Sequence, residues 1–264
     1  MTGVVNTASP ASAVLEPFAR RATLRRALGL LQDFRHEQDD PDRFYGALAA
    51  DSVRLVEDLR AGAGLGPLAG ATVLDVGGGP GYFADGFRAK GARYVPIDPD
   101  VGELAARGNP EPGSVRGSGT ELPVRTNAVD ICFSSNVGEH VRTPWIMGEE
   151  MLRVTRPGGL VVLSYMLWWG PHGGHETSPW HYLGGHRAAR RYTRTHGHQP
   201  KNMFGESLFP ITAAAGLRWA TTTPYGELLA AFPRYLPRAS WWVLRVPGLR
   251  ELLTWNLVLV LRAR

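Results

Sequence analysis

The chain reads as an α/β protein with a mostly parallel sheet covered by helices on both faces. Three observations predict this. Short apolar runs recur from residue 71 onward, helical stretches separate several of them, and one run empties into a glycine-rich turn. With 264 residues, 44% apolar and 20% charged, the composition supports a sizeable core and excludes disorder over most of the length. The 32 glycines and 20 prolines follow no period, which excludes collagen-like and coiled-coil architectures.

Residues 1–40 read as an N-terminal extension, a frayed start followed by a basic amphipathic helix from about Val14 to Phe34. The main domain is expected over 41–264. It opens with a helix in DPDRFYGALAADSVRLVEDLR (40–60), with Asp40 as N-cap and Pro41 in the first turn, and GAGLGPLAG links this helix to the sheet. Strands are expected at 71–76, 93–97, 114–117, 129–135 and 159–165. Helices are expected at 81–90 and 143–155, the latter ending before the Arg-Pro-Gly-Gly turn of 156–159. Two more candidate strands, LRWATTT (217–223) and TWNLVLVLRA (254–263), bring the sheet to seven.

Charge and cysteine content bound the function. Residues 1–164 hold 17 Lys and Arg against 20 Asp and Glu, a balance of −3, while residues 165–264 hold 12 against 4, a balance of +8. The basic half suits phosphate, nucleic acid or an anionic membrane surface. The single cysteine, Cys132 in the apolar run VDICF, excludes an internal disulfide and a cysteine-based zinc site and reads as a buried, inert thiol. No secretory signal is readable and no uncharged stretch reaches bilayer-spanning length, so a cytoplasmic protein is expected, with peripheral membrane contact left open.

VLDVGGGPGYF (73–83) is an apolar strand running into a glycine turn and a helix. Glycine at 77, 79 and 81 lets backbone pass close to a ligand where a Cβ would collide, which suits an adenosine-bearing cofactor. The dinucleotide pattern G-x-G-x-x-G fails because Tyr82 stands where its third glycine belongs. What stands is G-x-G-x-G, with Asp75 two residues ahead of it. Asp98 follows 21 residues after Gly77, near the interval at which an acidic side chain reaches ribose hydroxyls.

With ELPV (121–124), VDICFSSNVGEHV (129–141) and EEMLRVTRPGGLVVLSY (149–165), these segments resemble, in order and spacing, the class I S-adenosylmethionine methyltransferase superfamily. The resemblance covers roughly residues 42–165 and is nearest to small-molecule and lipid-type members, including uncharacterised actinobacterial ones. It implies a Rossmann-like seven-stranded sheet with an antiparallel last strand, a substrate cap inserted at about 166–203 and an expanded connection at about 225–253. It also implies S-adenosyl-L-methionine as cofactor. Asp75 would order the glycine loop and approach the amino-acid end of the cofactor, Gly77, Gly79 and Gly81 would supply close backbone, and Asp98 would bind the ribose. Asn136 would lie near the methionine moiety, and Tyr45 is a candidate to cover the cofactor carboxylate. Ser118 stands where the family often carries an adenine-binding Asp, and a serine oxygen or nearby backbone could accept the same hydrogen bond.

Methyl transfer to a hydroxyl needs alignment, exclusion of water and removal of a proton. His140, just past the fourth strand, is the candidate base, with Glu139 orienting it; a purely structural hydrogen bond is the alternative. The segment 168–201 holds six of the eight histidines. His172, His175, His181, His186, His196 and His198 include possible metal ligands, but Pro179 breaks H-E-x-x-H and no cysteine assists, so no metal is expected. Acceptor recognition is assigned instead to Trp168, Trp169, His175, Trp180, His181 and Tyr182, with Arg187, Arg190, Arg191 and Arg194 on one helical face for an anionic group; a solvated basic face is the alternative.

The tract 225–253 interleaves Trp241, Trp242, Leu244, Val246 and Leu249 with arginines, which fits a membrane interface or packing against the N-terminal helix or a second copy. The resulting expectation is O-methylation of a small or amphipathic acceptor, glycolipid-like or phosphorylated. Two alternatives are a nucleic-acid methyltransferase, against which SNVG replaces the N/D-P-P-Y signature of base methylation, and a non-catalytic cofactor-binding scaffold.

Overall fold

Strands β1 (Thr72–Val76), β2 (Arg93–Asp98), β3 (Val115–Arg116), β4 (Val129–Ser135), β5 (Thr155–Met166), β6 (Gly226–Pro233) and β7 (Asn256–Ala263) form one sheet in the order β3-β2-β1-β4-β5-β7-β6. The chain is a computed structural model in which residues 10–34 and 41–264 are described. Pairings among β1 to β5 are parallel, and β7 runs antiparallel between β5 and β6. Strand order reverses between β1 and β4, which places a crevice beyond their carboxyl ends.

Period-two alternation sorts the sheet's side chains between two cores. Val73, Ile131, Phe133, Leu160, Val162, Val258 and Val260 face helices α1 (Pro10–Arg21), α3 (Pro41–Gly62) and α4 (Ala84–Ala89). Leu74, Val76, Cys132, Val161, Leu163, Leu257, Leu259 and Leu261 face α6 (Pro144–Val154) and α8 (Ala213–Thr222). Cys132 is fully buried, and burial pushes its thiol well above the ordinary range, which keeps it unreactive.

Three expectations need correction. The helix expected over 14–34 is two, α1 and α2 (Leu24–Phe34), because Thr23 interrupts the run and its hydroxyl accepts from the Arg26 N–H at 3.3 Å. LRWATTT is not a strand but lies in α8 and the residue that follows it. Thr212 caps α8 by accepting from Ala215 N–H, and Ala213, Gly216, Trp219 and Ala220 are buried at helical spacing, so that period overrides the β-branched run. The sixth strand is instead GELLAAFP, inside the stretch expected to be a connection. Its alanines and closing proline hide the strand pattern, and as an edge strand beside β7 it tolerates Pro233. The Asp40 cap and the first nine residues lie outside the described residues.

The connection between β6 and β7 packs inward at Trp241, whose ring stacks on Phe18 of α1 and Phe232 of β6 at 5.9 and 5.2 Å. Trp242, Leu249, Leu252 and Leu253 remain exposed. Among the described residues no helix is long and apolar enough to cross a membrane.

The N-terminal helices are locked to the sheet by a buried charge network. Asp51 of α3 accepts two hydrogen bonds from Arg26 of α2, at 2.7 and 2.6 Å. It also faces Arg234, which is fully buried just beyond β6. Arg234 donates to Ser52 and to Ser135 at the end of β4, and its carbonyl accepts from Arg26. Burial alone would raise the Asp51 pKa, but the Arg26 hydrogen bond and the charges of Arg234, Arg26 and Arg21 outweigh it and hold the carboxyl below its ordinary value.

Asp51→Ala leaves two guanidinium groups facing each other and is expected to cost about 3–5 kcal/mol, read as a lowered denaturation midpoint at unchanged m. A depressed carboxylate pKa stabilises above the unfolded value, roughly pH 4, and that contribution is lost as pH falls through the folded value. The deficit of the variant should therefore shrink in acid.

Candidate active site

The glycine turn is built by backbone that only glycine adopts freely. Gly77, Gly79 and Gly81 have φ of +78°, +48° and +78°. The N–H groups of Gly77 and Gly78 donate to the Ile97 carbonyl, tying the turn to the end of β2. A Cβ on Gly77 would strike Val137, whereas one on Gly79 would meet nothing within 4 Å, so open space lies against the middle of the turn. Asp75 sits underneath it, 1% exposed, accepting from the Tyr94 hydroxyl and packed below Gly78. Burial, helped by the charge of Asp98 and opposed by the Tyr94 hydrogen bond, pushes its pKa up to about 7.

Asp98 stands at the end of β2 with one carboxylate oxygen accepting from Gly79 N–H at 3.3 Å and the other from Asp100 N–H at 2.9 Å. Burial raises its pKa, against the pull of those two bonds. Ser118 is exposed, with its hydroxyl bonded to that of Thr120 at 2.8 Å. Tyr45 of α3 stacks on Tyr82 at 4.4 Å, and Arg107 lies over the Tyr82 ring, so the three wall one side of the glycine turn. Asn136, at the end of β4, has a left-handed φ of +58° and accepts from the Asn256 side chain at 2.6 Å.

Across this crevice Glu139 and His140 lie on a 3-10 turn, Gly138–His140, directly after β4. The His140 Nδ1 lies 2.7 Å from the Ser207 carbonyl oxygen. A carbonyl only accepts, so Nδ1 carries the proton and Nε2 the free lone pair. Glu139 is 1% exposed, and neither carboxylate oxygen has a hydrogen-bond partner. Burial raises its pKa; His140 and the backbone N–H groups of Glu139 and Met166 pull the other way without closing a bond to it. His175 arrives from the insertion after β5, with φ +49° and its ring 5.0 Å from that of His140. Burial, with the fields of His140, His172 and His181, pushes its pKa down to about 3. The structure thus joins Glu139, His140 and His175 in one cluster.

The other residues assigned to the acceptor are dispersed. Trp168 is buried between His181 and Phe204. His181 is buried too, with Nε2 3.2 Å from the Gly170 carbonyl oxygen. Trp169 and Tyr182 stack on each other at the surface, and Arg191 lies 3.9 Å above the exposed ring of Trp180. Arg187, Arg190, Arg191 and Arg194 all project outward from α7 (Gly185–His196), whose opposite face buries Ala188 and Ala189. Arg190 and Arg194 line a shallow depression there with His186, Gln199 and Met203.

An apolar cavity of about 160 Å³ was not anticipated from sequence. Its walls are the leucines of α2 with Ala27, Leu48 of α3, and Tyr235 to Pro237 after β6, closed by Met166, His172 and Trp255. Tyr235 connects it to the cluster, since its hydroxyl feels both the Asn136 side chain and the charge of Glu139. Arg234, Tyr235 and Asn256 were missed. For Arg234 and Tyr235 the available signal was Arg-Tyr directly after an apolar run, in a segment read as membrane interface, core packing or a contact with a second copy.

A family model described as a methyltransferase domain matches residues 74–163, from β1 to β5. A protein of Mycobacterium ulcerans described as an uncharacterized methyltransferase is 60% identical over 256 residues, covering 96% of this chain and 100% of that protein. One of Mycolicibacterium gilvum with the same description is 61% identical over 255 residues, covering 95% and 99%. An S-adenosylmethionine dependent methyltransferase of known structure from Mesorhizobium loti superposes with a TM-score of 0.50 at 17% identity, over 78% of this chain and 97% of that one. Fold and relatives together define a class I S-adenosylmethionine-dependent methyltransferase. Within that class the chain belongs to the family of these mycobacterial methyltransferases.

A buried carboxyl with a raised pKa costs stability as pH climbs past its unfolded value, and the cost is complete above the folded one. Asp75→Asn keeps an acceptor for Tyr94 and removes the charge. Its melting temperature should exceed that of the parent increasingly between pH 5 and 8, with no difference below about pH 4. Thermal melts across that range provide the check.

Proposed function

We propose that this methyltransferase methylates a hydroxyl on an amphipathic acceptor whose apolar portion lies in the cavity beside α2. The observation that carries the reading is the nearness of cavity and cluster: Met166, His172 and Tyr235 line the apolar cavity, and the Met166 backbone acts on Glu139, His172 on His175, and Glu139 on Tyr235. An apolar tail in the cavity would bring an attached hydroxyl toward His140, and the exposed rings of Trp169, Trp180 and Tyr182 offer stacking faces for a sugar-like head.

The residues of the glycine turn fit the cofactor. Their positive φ leaves the cradle without Cβ atoms, with open space at Gly79, and Asp98 offers carboxylate oxygens to ribose hydroxyls. Asp75 holds the turn from below. Asn136 beyond β4 would face the methionine end, Tyr45 and Tyr82 would form the wall, and Ser118 or backbone near it would take the adenine. Bound there, S-adenosylmethionine would supply a sulfonium methyl that could pass to oxygen as its bond to sulfur breaks, with a neutral thioether as the leaving group. The hydroxyl proton passes to Nε2 of His140, held in place by Ser207, while the buried surroundings of Glu139 exclude water.

The assay incubates the purified protein with methyl-labelled S-adenosylmethionine and source-cell extract, then partitions the products. Label in the lipid phase is expected; label on nucleic acid or protein would overturn the acceptor class, and no label despite cofactor binding would favour a scaffold. His140→Ala should lose about a hundredfold or more in turnover with cofactor affinity kept. Ala27→Phe, which fills the cavity, should raise KM for the lipid-phase acceptor several-fold while leaving cofactor affinity unchanged.

A further inference from the structure

We infer that Glu139, His140 and His175 form a binding site for a first-row divalent cation, with Zn²⁺ the best-matched ion. One ligand atom from each, a carboxylate oxygen and two imidazole nitrogens, lies within 4.8 Å of the others. Bonds of about 2.0–2.2 Å to a shared ion draw such atoms closer, so the side chains must rotate inward by on the order of 1 Å. Two imidazoles with one carboxylate form a set that Zn²⁺ and its neighbours accept with coordination positions left over. Mg²⁺ and Ca²⁺, which take oxygen ligands, match it less well.

Three independent features point to a ligand here. Glu139 is buried with both oxygens unpartnered, an arrangement that is costly for a carboxylate unless something in the site satisfies it. The Nε2 of His175 is likewise buried without a partner, on a residue held in left-handed backbone. His140 has its remote nitrogen fixed by the Ser207 carbonyl, the outer support that orients a ligating imidazole and frees its other lone pair. No hydrogen bond joins Glu139 to either histidine, so a carboxylate-imidazole pair does not account for the cluster. Two separate segments supply the donors, and the Phe209 N–H to Glu139 carbonyl bond of 2.8 Å helps hold the 3-10 turn in place. Sequence spacing missed this set because it looked for ligands inside 168–201 alone.

The site deepens the methyl-transfer reading and rests on it for its catalytic meaning, although ion binding itself requires neither cofactor nor acceptor. A cation there makes a hydroxyl placed against it more acidic. The O–H bond breaks with its electron pair left on oxygen. The proton moves to the carboxylate oxygen of Glu139 turned away from the ion, to be released to solvent once the product leaves, and the oxygen takes the methyl. His140 then serves by holding the ion instead of by accepting the proton.

The test titrates Zn²⁺ into chelator-stripped full-length protein by calorimetry and repeats it with Co²⁺, following visible absorption. One equivalent is expected, with a cobalt spectrum of low coordination number. Glu139→Gln and His175→Ala should each weaken binding by roughly a hundredfold or more, beyond the ten- to hundredfold cost of losing a supporting partner. His198→Ala, at an exposed histidine, should bind as the parent does. Far-ultraviolet dichroism and cofactor binding verify folding, and if His175→Ala fails to fold, the near-isosteric Glu139→Gln carries the test. No binding at micromolar ion, or binding undiminished in the site variants, overturns the proposal. Methyl transfer that persists in stripped protein that binds no ion would sink the metal site and leave the acceptor reading standing. One bound ion without transfer to any fraction would do the reverse.

Discussion

The contact on which the molecule most depends is Asp51 held between Arg26 and Arg234. It joins α2 and α3 to the end of β6, and through Ser135 to the end of β4, just before the turn that carries Glu139 and His140. Two guanidinium groups removed from water need an anion and polar neighbours, and Asp51, Ser52 and Ser135 supply them. Tyr235 follows Arg234 directly, so the network also sets where the cavity wall and the Asn136 partner stand. Stability and site geometry are therefore fixed by the same few groups.

The crevice gathers buried polar groups where strands end. Asp75, Asp98 and Glu139 all have carboxyl pKa values raised first by burial, yet they are handled differently. Asp75 is satisfied by Tyr94 and acts on the turn from below; Asp98 takes two backbone N–H groups; Glu139 closes no hydrogen bond with either oxygen. That gradation separates a supporting group from one placed for a ligand and from one still awaiting a partner.

Much of this could be read from sequence where local chemistry is self-sufficient. The glycine turn, β1, β2, β4, β5, β7 and the placement of Asp98 follow from positive-φ glycine and alternating apolar runs, which need no distant residue. LRWATTT and GELLAAFP exchanged roles because a threonine run imitates a strand while an alanine-rich edge strand lacks β-branched residues. The site was legible only in pieces. His140 stood out beside the fourth strand, but its meeting with His175 depends on how the insertion folds back, and no spacing rule spans that distance. Arg234 was invisible for a related reason: an arginine in an arginine-rich segment gives no hint that it alone is fully buried.

The walls of the apolar cavity come mainly from chain that precedes the sheet and chain that follows β6, whereas the glycine turn lies between β1 and β2 and Asp98 ends β2. On the proposed function, the part that would hold the methyl donor and the part that would take the acceptor's tail are thus encoded in separate stretches of sequence. Descendants of such a chain can drift in residues 24–31 and 235–237, as a paired unit kept in step by the Arg26–Asp51–Arg234 contact, and so acquire new clients without rebuilding the common engine. On that reading, divergence of acceptor range within one fold is a matter of re-lining a single small chamber.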